Sequence, residues 1–155
     1  METVAAVDKL FAHYAAVLDA ANVAAWAELF DVESNYAVYT AADFERGLPL
    51  AYMLDDCHER ILDRVKFVDE VWRGTVEPYR TRHIFQRTSL DTAEADTYHV
   101  ESNVLVAYTD ANDVSALLCS GRTEDIIRIR DGEALFQQRK VLLDGTPARY
   151  LVYPV

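Results

Sequence analysis

The sequence predicts an α+β domain with N-terminal helices packed on one face of a curved antiparallel sheet. Three observations carry that expectation. The first seventy or so residues repeat apolar side chains at three- and four-residue steps. From Thr81 onward the pattern alternates with period two. The alternating runs are joined by short turn-forming clusters, which connect neighbouring strands directly. The 155 residues are one domain's worth of chain, expected to span 1–155 with no repeat, linker or low-complexity tract.

Thr3 to Ala20 reads as a helix, with Val4, Val7, Leu10, Phe11, Tyr14, Val17 and Leu18 on one stripe. Asn22 is placed to cap a second, short helix that buries Trp26, Leu29 and Phe30. Tyr36–Tyr39 is a short strand and Gly47–Leu50 a loop. A longer helix is expected over Leu54–Val71, with Leu54, Cys57, Ile61, Val65 and Val68 on one face and Gly74 and Pro78 ending it. The strands that follow are Thr81–Leu90, Thr97–Tyr108, Val114–Arg130 (bending near Gly121) and Leu135–Leu143. Between them lie Asp91–Glu94, Asp110–Asp113 and Asp131–Gly132. Tyr150–Tyr153 could add a last strand.

Composition narrows the function classes. Lysine and arginine total 15 against 26 aspartates and glutamates, a net charge of −11. Such a surface repels phosphate backbones and anionic lipid, so neither a nucleic-acid nor a membrane partner is expected. No apolar run approaches the length of a bilayer span, and Glu2, Asp8 and Lys9 interrupt any signal-peptide core. Cys57 and Cys119 are too few for a disulfide framework, and free thiols fit a reducing compartment. The expected location is the cytoplasm.

The motifs that carry common chemistries are missing. There is no glycine-rich nucleotide loop, no Gly-x-Ser-x-Gly and no His-Glu-x-x-His. A Rieske centre needs two Cys and two His at Cys-x-His and Cys-x-x-His spacing. Glu59 stands two residues after Cys57, and Gly121 two after Cys119. His13, His58, His83 and His99 are far apart, so no pair shares a helical turn. No metal or cofactor is expected on this chain.

A few residues could carry chemistry. His99 shares a strand face with Glu101, Asn103 and Leu105, and His83 shares one with Phe85. If the sheet curves into a cone, His83 and His99 could line a pocket whose mouth Tyr14 and Asp19 reach from the first helix. That would make an acid–base set. The plainer alternative is a wet or interface-forming sheet face. Arg80, Arg82 and His83 concentrate positive charge in an acidic protein, and Arg122 and Arg128 share a face further on. These are either cross-strand ion pairs or, since Arg favours interfaces, a protein–protein contact.

Several stretches together resemble the small (beta) subunit of aromatic-ring-hydroxylating dioxygenases. They are Tyr14…Leu18-Asp19…Trp26-x-x-Leu29-Phe30, then Glu45-Arg-Gly47-Leu-Pro-Leu50 with Asp55-Asp56 and Leu62-x-Arg64-Val65. Arg80-Thr-Arg82-His83 follows, and then Glu101-Ser-Asn103-x-Leu105-Val-x-Tyr108. Gly121-Arg122-x-x-Asp125-Ile-Ile-Arg128 and Arg139-x-Val141-x-Leu143-Asp144 close the series. The ending Tyr150-Leu-Val-Tyr-Pro154 is similar to the branch acting on salicylate- or anthranilate-type substrates. The resemblance implies the cone-shaped fold shared with nuclear transport factor 2, ketosteroid isomerase and scytalone dehydratase (the SnoaL-like group). It implies a subunit without catalytic residues that supports an iron-bearing alpha subunit. The Rieske [2Fe-2S] cluster and mononuclear iron would sit on that partner, in a hetero-hexamer with a trimeric core. NAD(P)H-derived electrons would drive ring hydroxylation there, in the breakdown of aromatic compounds.

The competing expectation is a stand-alone cone-fold isomerase or dehydratase, or a small-ligand-binding protein, using Tyr14, Asp19, His83 and His99. Ketosteroid isomerase places a carboxylate on the strand after the Trp…Leu-Phe helix. Here Val38 and Tyr39 occupy that stretch, and neither serves as a general base near neutral pH.

Overall fold

In the computed structural model, which describes residues 1–155, helix α1 (Glu2–Asp19) lies in the hollow of the sheet. It buries Val7, Leu10, Phe11, Tyr14, Val17 and Leu18, whereas Val4, at the start of the stripe, is exposed. Ala21 takes a left-handed conformation, φ 53°, and turns the chain into α2 (Val23–Ala27). The Asn22 side chain caps α2 by accepting from the Ala25 amide at 3.1 Å. Trp26, Phe30 and Tyr36 then stack edge to face, with ring centroids 5.0–6.0 Å apart.

Strand β1 (Phe30–Thr40) is longer than the expected Tyr36–Tyr39 and bulges between Phe30 and Asn35. Thr40 caps the short α3 (Ala41–Glu45) through the Asp43 amide. The helix expected over Leu54–Val71 is reorganised. Met53–Asp55 forms strand β2 against Tyr36–Val38, and α4 covers only His58–Phe67. Two features stop the helix at its start. Cys57 is extended, φ −151° and ψ 167°. Asp55 is held from α4 by Arg64, whose Nη2 donates to it at 2.9 Å. A wider turn of π-helix, Val68–Trp72, finishes the segment.

The second half follows the expected order: β3 (Arg80–Glu94), β4 (Thr97–Thr109), β5 (Ser115–Arg130) and β6 (Glu133–Leu143). The β3–β4 turn falls later than Asp91–Glu94, at Ala95 and Asp96, with Asp96 left-handed. Asp110 builds the next turn by accepting from the amides of Asn112 and Val114 at 2.8 and 3.0 Å. Asp131 and Gly132 both have positive φ, as a tight hairpin requires. Gly121 sits where any Cβ would run into the Leu142 carbonyl, so only glycine lets β5 and β6 approach this closely.

The six strands are ordered β2-β1-β6-β5-β4-β3. Pairing is antiparallel except between β1 and β6, which run parallel, so the sheet is mixed. β3 is one edge. On the other face only the short α3 touches the sheet, at its β6 side, with Phe44 under the Lys140 ammonium and Glu45 3.8 Å from Arg122; β3 and β4 carry no helix there. Tyr150–Tyr153 forms no strand. Residues after Leu143 run irregularly across the open end of the sheet and then inward, burying Leu151, Val152 and Val155 in the main hydrophobic cluster. No helix is long and apolar enough to cross a membrane.

Candidate functional site

Asp19 is the last residue of α1, where a carboxylate faces the negative end of the helix dipole. Donors from β3 offset that cost. The Thr81 hydroxyl donates to Asp19 Oδ1 at 3.2 Å, and the His83 amide, an edge-strand N–H, donates at 3.1 Å. His83 Nδ1 lies 2.7 Å from the same oxygen, so the Nδ1 proton is the one Asp19 accepts. The structure therefore brings Asp19 and His83 together. The His83 ring is closed to solvent, stacks on Phe85 at 6.1 Å, and has an Nε2 with no hydrogen-bond partner.

Tyr14 is deeper, on the same helix. Its hydroxyl donates not to the Asp19–His83 pair but to the Val155 carbonyl, at 2.8 Å. Burial raises the pKa of Tyr14 and, more strongly, of Tyr36, so both phenols stay protonated donors.

His99 does not join this group. The β3–β4 register sets His83 opposite Val106 and Ile84 opposite Leu105. His99 has the parity of Leu105, so it projects from the face away from α1 and is exposed. The two histidines lie on opposite sides of the sheet, which removes His99 from the pocket expected for it.

The interface candidates divide. Arg80 is exposed and bonds Asp113 at 2.6 Å. Arg82 is exposed with no ion pair, and Arg122 lies 3.7–3.8 Å from Glu124 and Glu45. Arg128 turns to Asp31 in the β1 bulge, at 3.0 Å, and is mostly covered. His83 is buried and offers no surface.

Sequence reasoning missed the charged centre of the hollow. Arg139 on β6 is completely buried and donates from Nη1 to Asp125 on β5 at 2.9 Å. Its guanidinium lies 4.2–5.2 Å from the ring centroids of Tyr14, Phe11, Phe85 and Phe136. Burial pushes the Asp125 carboxyl up to about 6, against the pull of Arg139 and the Thr123 hydroxyl. Arg139 Nε and Nη2 and Asp125 Oδ1 have no partner. The available signal was alternation, since Arg139 shares its parity with the inward-facing Val141 and Leu143.

Outside this centre, a cleft of about 540 Å³ opens between α1 and β3, lined by Phe11, Ala12, Ala15, His83 and Phe85 and bridged by the Asp8–Arg87 pair. An Asp–His pair can hold and pass a proton. Here it chiefly fastens the end of α1 to the sheet edge. No cluster of three or more His, Cys, Asp or Glu side chains is placed to hold a metal ion. Cys57 occupies the N-cap position of α4 without a side-chain capping bond, while Cys119 is buried on β5 with its thiol raised to about 12 by desolvation. These donors sit on separate elements and do not fit an iron–sulfur centre.

The family model for the ring hydroxylating beta subunit matches residues 13–147, nearly the whole chain. The chain belongs to that family. No curated protein sequence matches it. This beta-subunit chain is similar in structure to one assigned as the beta subunit of an aromatic-ring-hydroxylating dioxygenase of Novosphingobium aromaticivorans. The TM-score is 0.86 and the identity 23%, over 97% of this chain and 95% of that one. The beta subunit of benzoate 1,2-dioxygenase from Burkholderia mallei gives 0.72 at 15%, over 88% and 87%. ActVI-ORFA of Streptomyces coelicolor gives 0.70 at 21%, over 93% and 98%. At these identities the likenesses establish the fold, the cone shared by nuclear transport factor 2-like and SnoaL-like proteins.

Proposed function

We propose that this chain is the structural, non-catalytic subunit of an aromatic-ring-hydroxylating oxygenase. It supports, in the cytoplasm, an alpha subunit that carries the Rieske cluster and the mononuclear iron. The assembly is a hetero-hexamer with three of each chain, and the whole of residues 1–155 acts as one domain in it. Family membership supports this reading. The observation that carries it further is the open outer face of β3–β5, away from α1. There Ile84 and Leu105, directly opposed across the β3–β4 ladder, are 56% and 46% exposed. Arg82 and Arg122 flank them. Three strands at about 4.8 Å spacing and ten residues' length present roughly 500 Å², more than half of the ~800 Å² each partner contributes to a standard interface. An apolar centre with an arginine-bearing rim has the composition of such a contact.

Co-expression with the large-subunit chain encoded beside it tests the proposal. The expected product is a stable hetero-oligomer whose iron and ring-hydroxylating activity reside on the large chain, with this chain alone colourless and inactive. A homo-oligomer that binds redox metal or turns over an aromatic substrate unaided would overturn it.

One observation favours a second reading, a stand-alone isomerase or dehydratase: the 2.7 Å Asp19–His83 contact. That reading requires the lone chain to convert a small cyclic ketone or phenol, with loss of turnover in His83→Ala. The buried Nε2 and the displaced His99 count against it.

A further inference from the structure

The strand register sets out the open face of β3–β5 row by row. Arg82, Ala107 and Leu117 lie opposite one another across the three strands, and Ile84, Leu105 and Ser120 form the next row. Gln86, Asn103 and Arg122 follow, with the Asn103 amide donating to Gln86 at 3.1 Å, and then Glu101 beside Glu124. Leu117 is 53% exposed, like Ile84 and Leu105 next to it. The face therefore runs from a cation, over an apolar patch and an amide pair, to carboxylates.

Two charges on it have no partner. Arg82 is exposed without an ion pair, whereas Arg80 holds Asp113. Glu101 is exposed without one, whereas Glu124 has Arg122 and Lys140 at 3.7 and 3.9 Å. The His83 amide points off the sheet edge to Asp19. Even-numbered residues of β3 therefore bond to β4 at this stretch, and odd-numbered residues of β4 bond back. Glu101 and Glu124 are then a non-hydrogen-bonded pair, the closer kind, and like charges so placed repel. A cation arriving at Glu101 relieves that repulsion.

The open strip has the width of one helix. α3 stands beside it on β6, and three strands at about 4.8 Å spacing are about 10 Å across, against about 10–12 Å for a helix with its side chains. Arg82 lies opposite Ala107, and from there to Glu101 is about 20 Å along β4. A helix covers that length in about 13 residues. Helices favour acidic residues in the first turn and basic ones in the last, so a helix starting at Arg82 meets both charges at once. A second copy of this chain does not. Turned face to face about an axis along β4, it sets Glu101 on Glu101 and Leu117 on Arg82.

We propose that the outer face of β3–β5 receives one amphipathic helix of the large subunit, about four turns long. Its acidic first turn lies at Arg82, its apolar stripe on Ile84, Leu105 and Leu117, and a basic residue of its last turn at Glu101. The inference rests on the assembly reading and adds to it the docking element, its direction and its charges.

Reassembly of the complex from separately purified chains tests it. Exchanging the two charges, Arg82→Glu with Glu101→Lys, leaves the net charge at −11 and should weaken binding to the large subunit at least ~100-fold. The neutral variants Arg82→Gln and Glu101→Gln should each weaken it about 3–10-fold and flatten its salt dependence. They decide the matter if the exchanged chain loses its circular dichroism. Hydrogen exchange should slow in one large-subunit segment with an acidic start, apolar residues at three- and four-residue steps and a basic end. Undiminished binding by the variants, or slowing confined to large-subunit segments without that pattern, would overturn the helix and leave the assembly standing. So would self-association of the lone chain that Ile84→Asp abolishes, which would assign the face to a second copy. No complex between the unaltered chains would overturn both readings.

Discussion

Arg139 and Asp125 meet at 2.9 Å with both side chains closed to solvent. Their charges lie at the centre of the hollow, where four aromatic rings surround the guanidinium. A buried pair of this kind gains its mutual attraction only after large desolvation costs. Its partners should therefore depend on each other more than the fold depends on the pair.

Removing one partner alone tests that dependence. Arg139→Ala should cost about 3–5 kcal/mol of unfolding free energy in urea, because Asp125 is left buried beside a cavity. The double variant Arg139→Met with Asp125→Leu should cost clearly less than the single one. Equal losses would mean that the rings, not the ion pair, account for the effect.

The same carboxyl sets a pH dependence. Asp125 has a folded value of about 6, above the ~3.9 of an unfolded aspartate. Between about pH 4 and 6 the native chain holds the proton more firmly. Its contribution is thus fully present below about pH 4 and is lost as pH rises through about 6, by up to about 3 kcal/mol. Asp125→Asn should flatten the stability profile across that window. An unchanged slope in the variant would assign the dependence to other groups.

Asp19 makes a structural prediction of its own. Asp19→Ala leaves the Thr81 hydroxyl and two His83 N–H groups without their acceptor and should cost about 2–3 kcal/mol. Asp19→Asn keeps an acceptor oxygen and should cost about half as much. Chemical denaturation of the two variants distinguishes this fastening role from a purely proton-handling one, in which stability would not move.

Gly121→Ala should destabilise by about 3 kcal/mol or more, since the new methyl meets the Leu142 backbone rather than a side chain that can swing away. Gly145→Ala, where nothing lies within 4 Å, should change stability by less than ~0.5 kcal/mol and serves as the control.

On the outer face of β3–β5, Ile84→Asp should leave the isolated chain within ~0.5 kcal/mol of its normal stability. It should lower recovery of the hetero-oligomer with the large subunit at least tenfold in a pull-down. Undiminished recovery would place the contact elsewhere.

The sequence was most legible where a local signal was strong. Period-two alternation between aspartate-rich turns marked β3–β6 to within a few residues, and the α1 stripe was read almost completely. Met53–Asp55 was not legible, because three residues carry no period and Leu54 continued the apolar spacing of the helix beyond it. Tyr150–Tyr153 reads as a possible last strand but forms none, because the groups that fix the segment, Tyr14, Tyr36 and Tyr79, lie far away in sequence. Alternation gives the shared face of His83 and Phe85 in β3 and the two faces of β4, but not the register between the strands. A one-residue offset decides whether His83 and His99 share a side. Arg139 and Asp125 were hidden by the ordinary rule that charges on strands face water.

β3 runs fifteen residues along one rim of the sheet, with no further strand beyond it. A long, flat rim of unpaired amides would recruit another chain indiscriminately and seed fibres. Here Asp19 takes one of those amides, the ion pairs Arg80–Asp113 and Arg87–Asp8 fill the border with charged, hydrated groups, and Arg82 adds a charge without a partner, so joining two such rims would bury charge. The arginines that look like recognition groups also act as a fence, and replacing them with neutral residues would trade solubility for self-association.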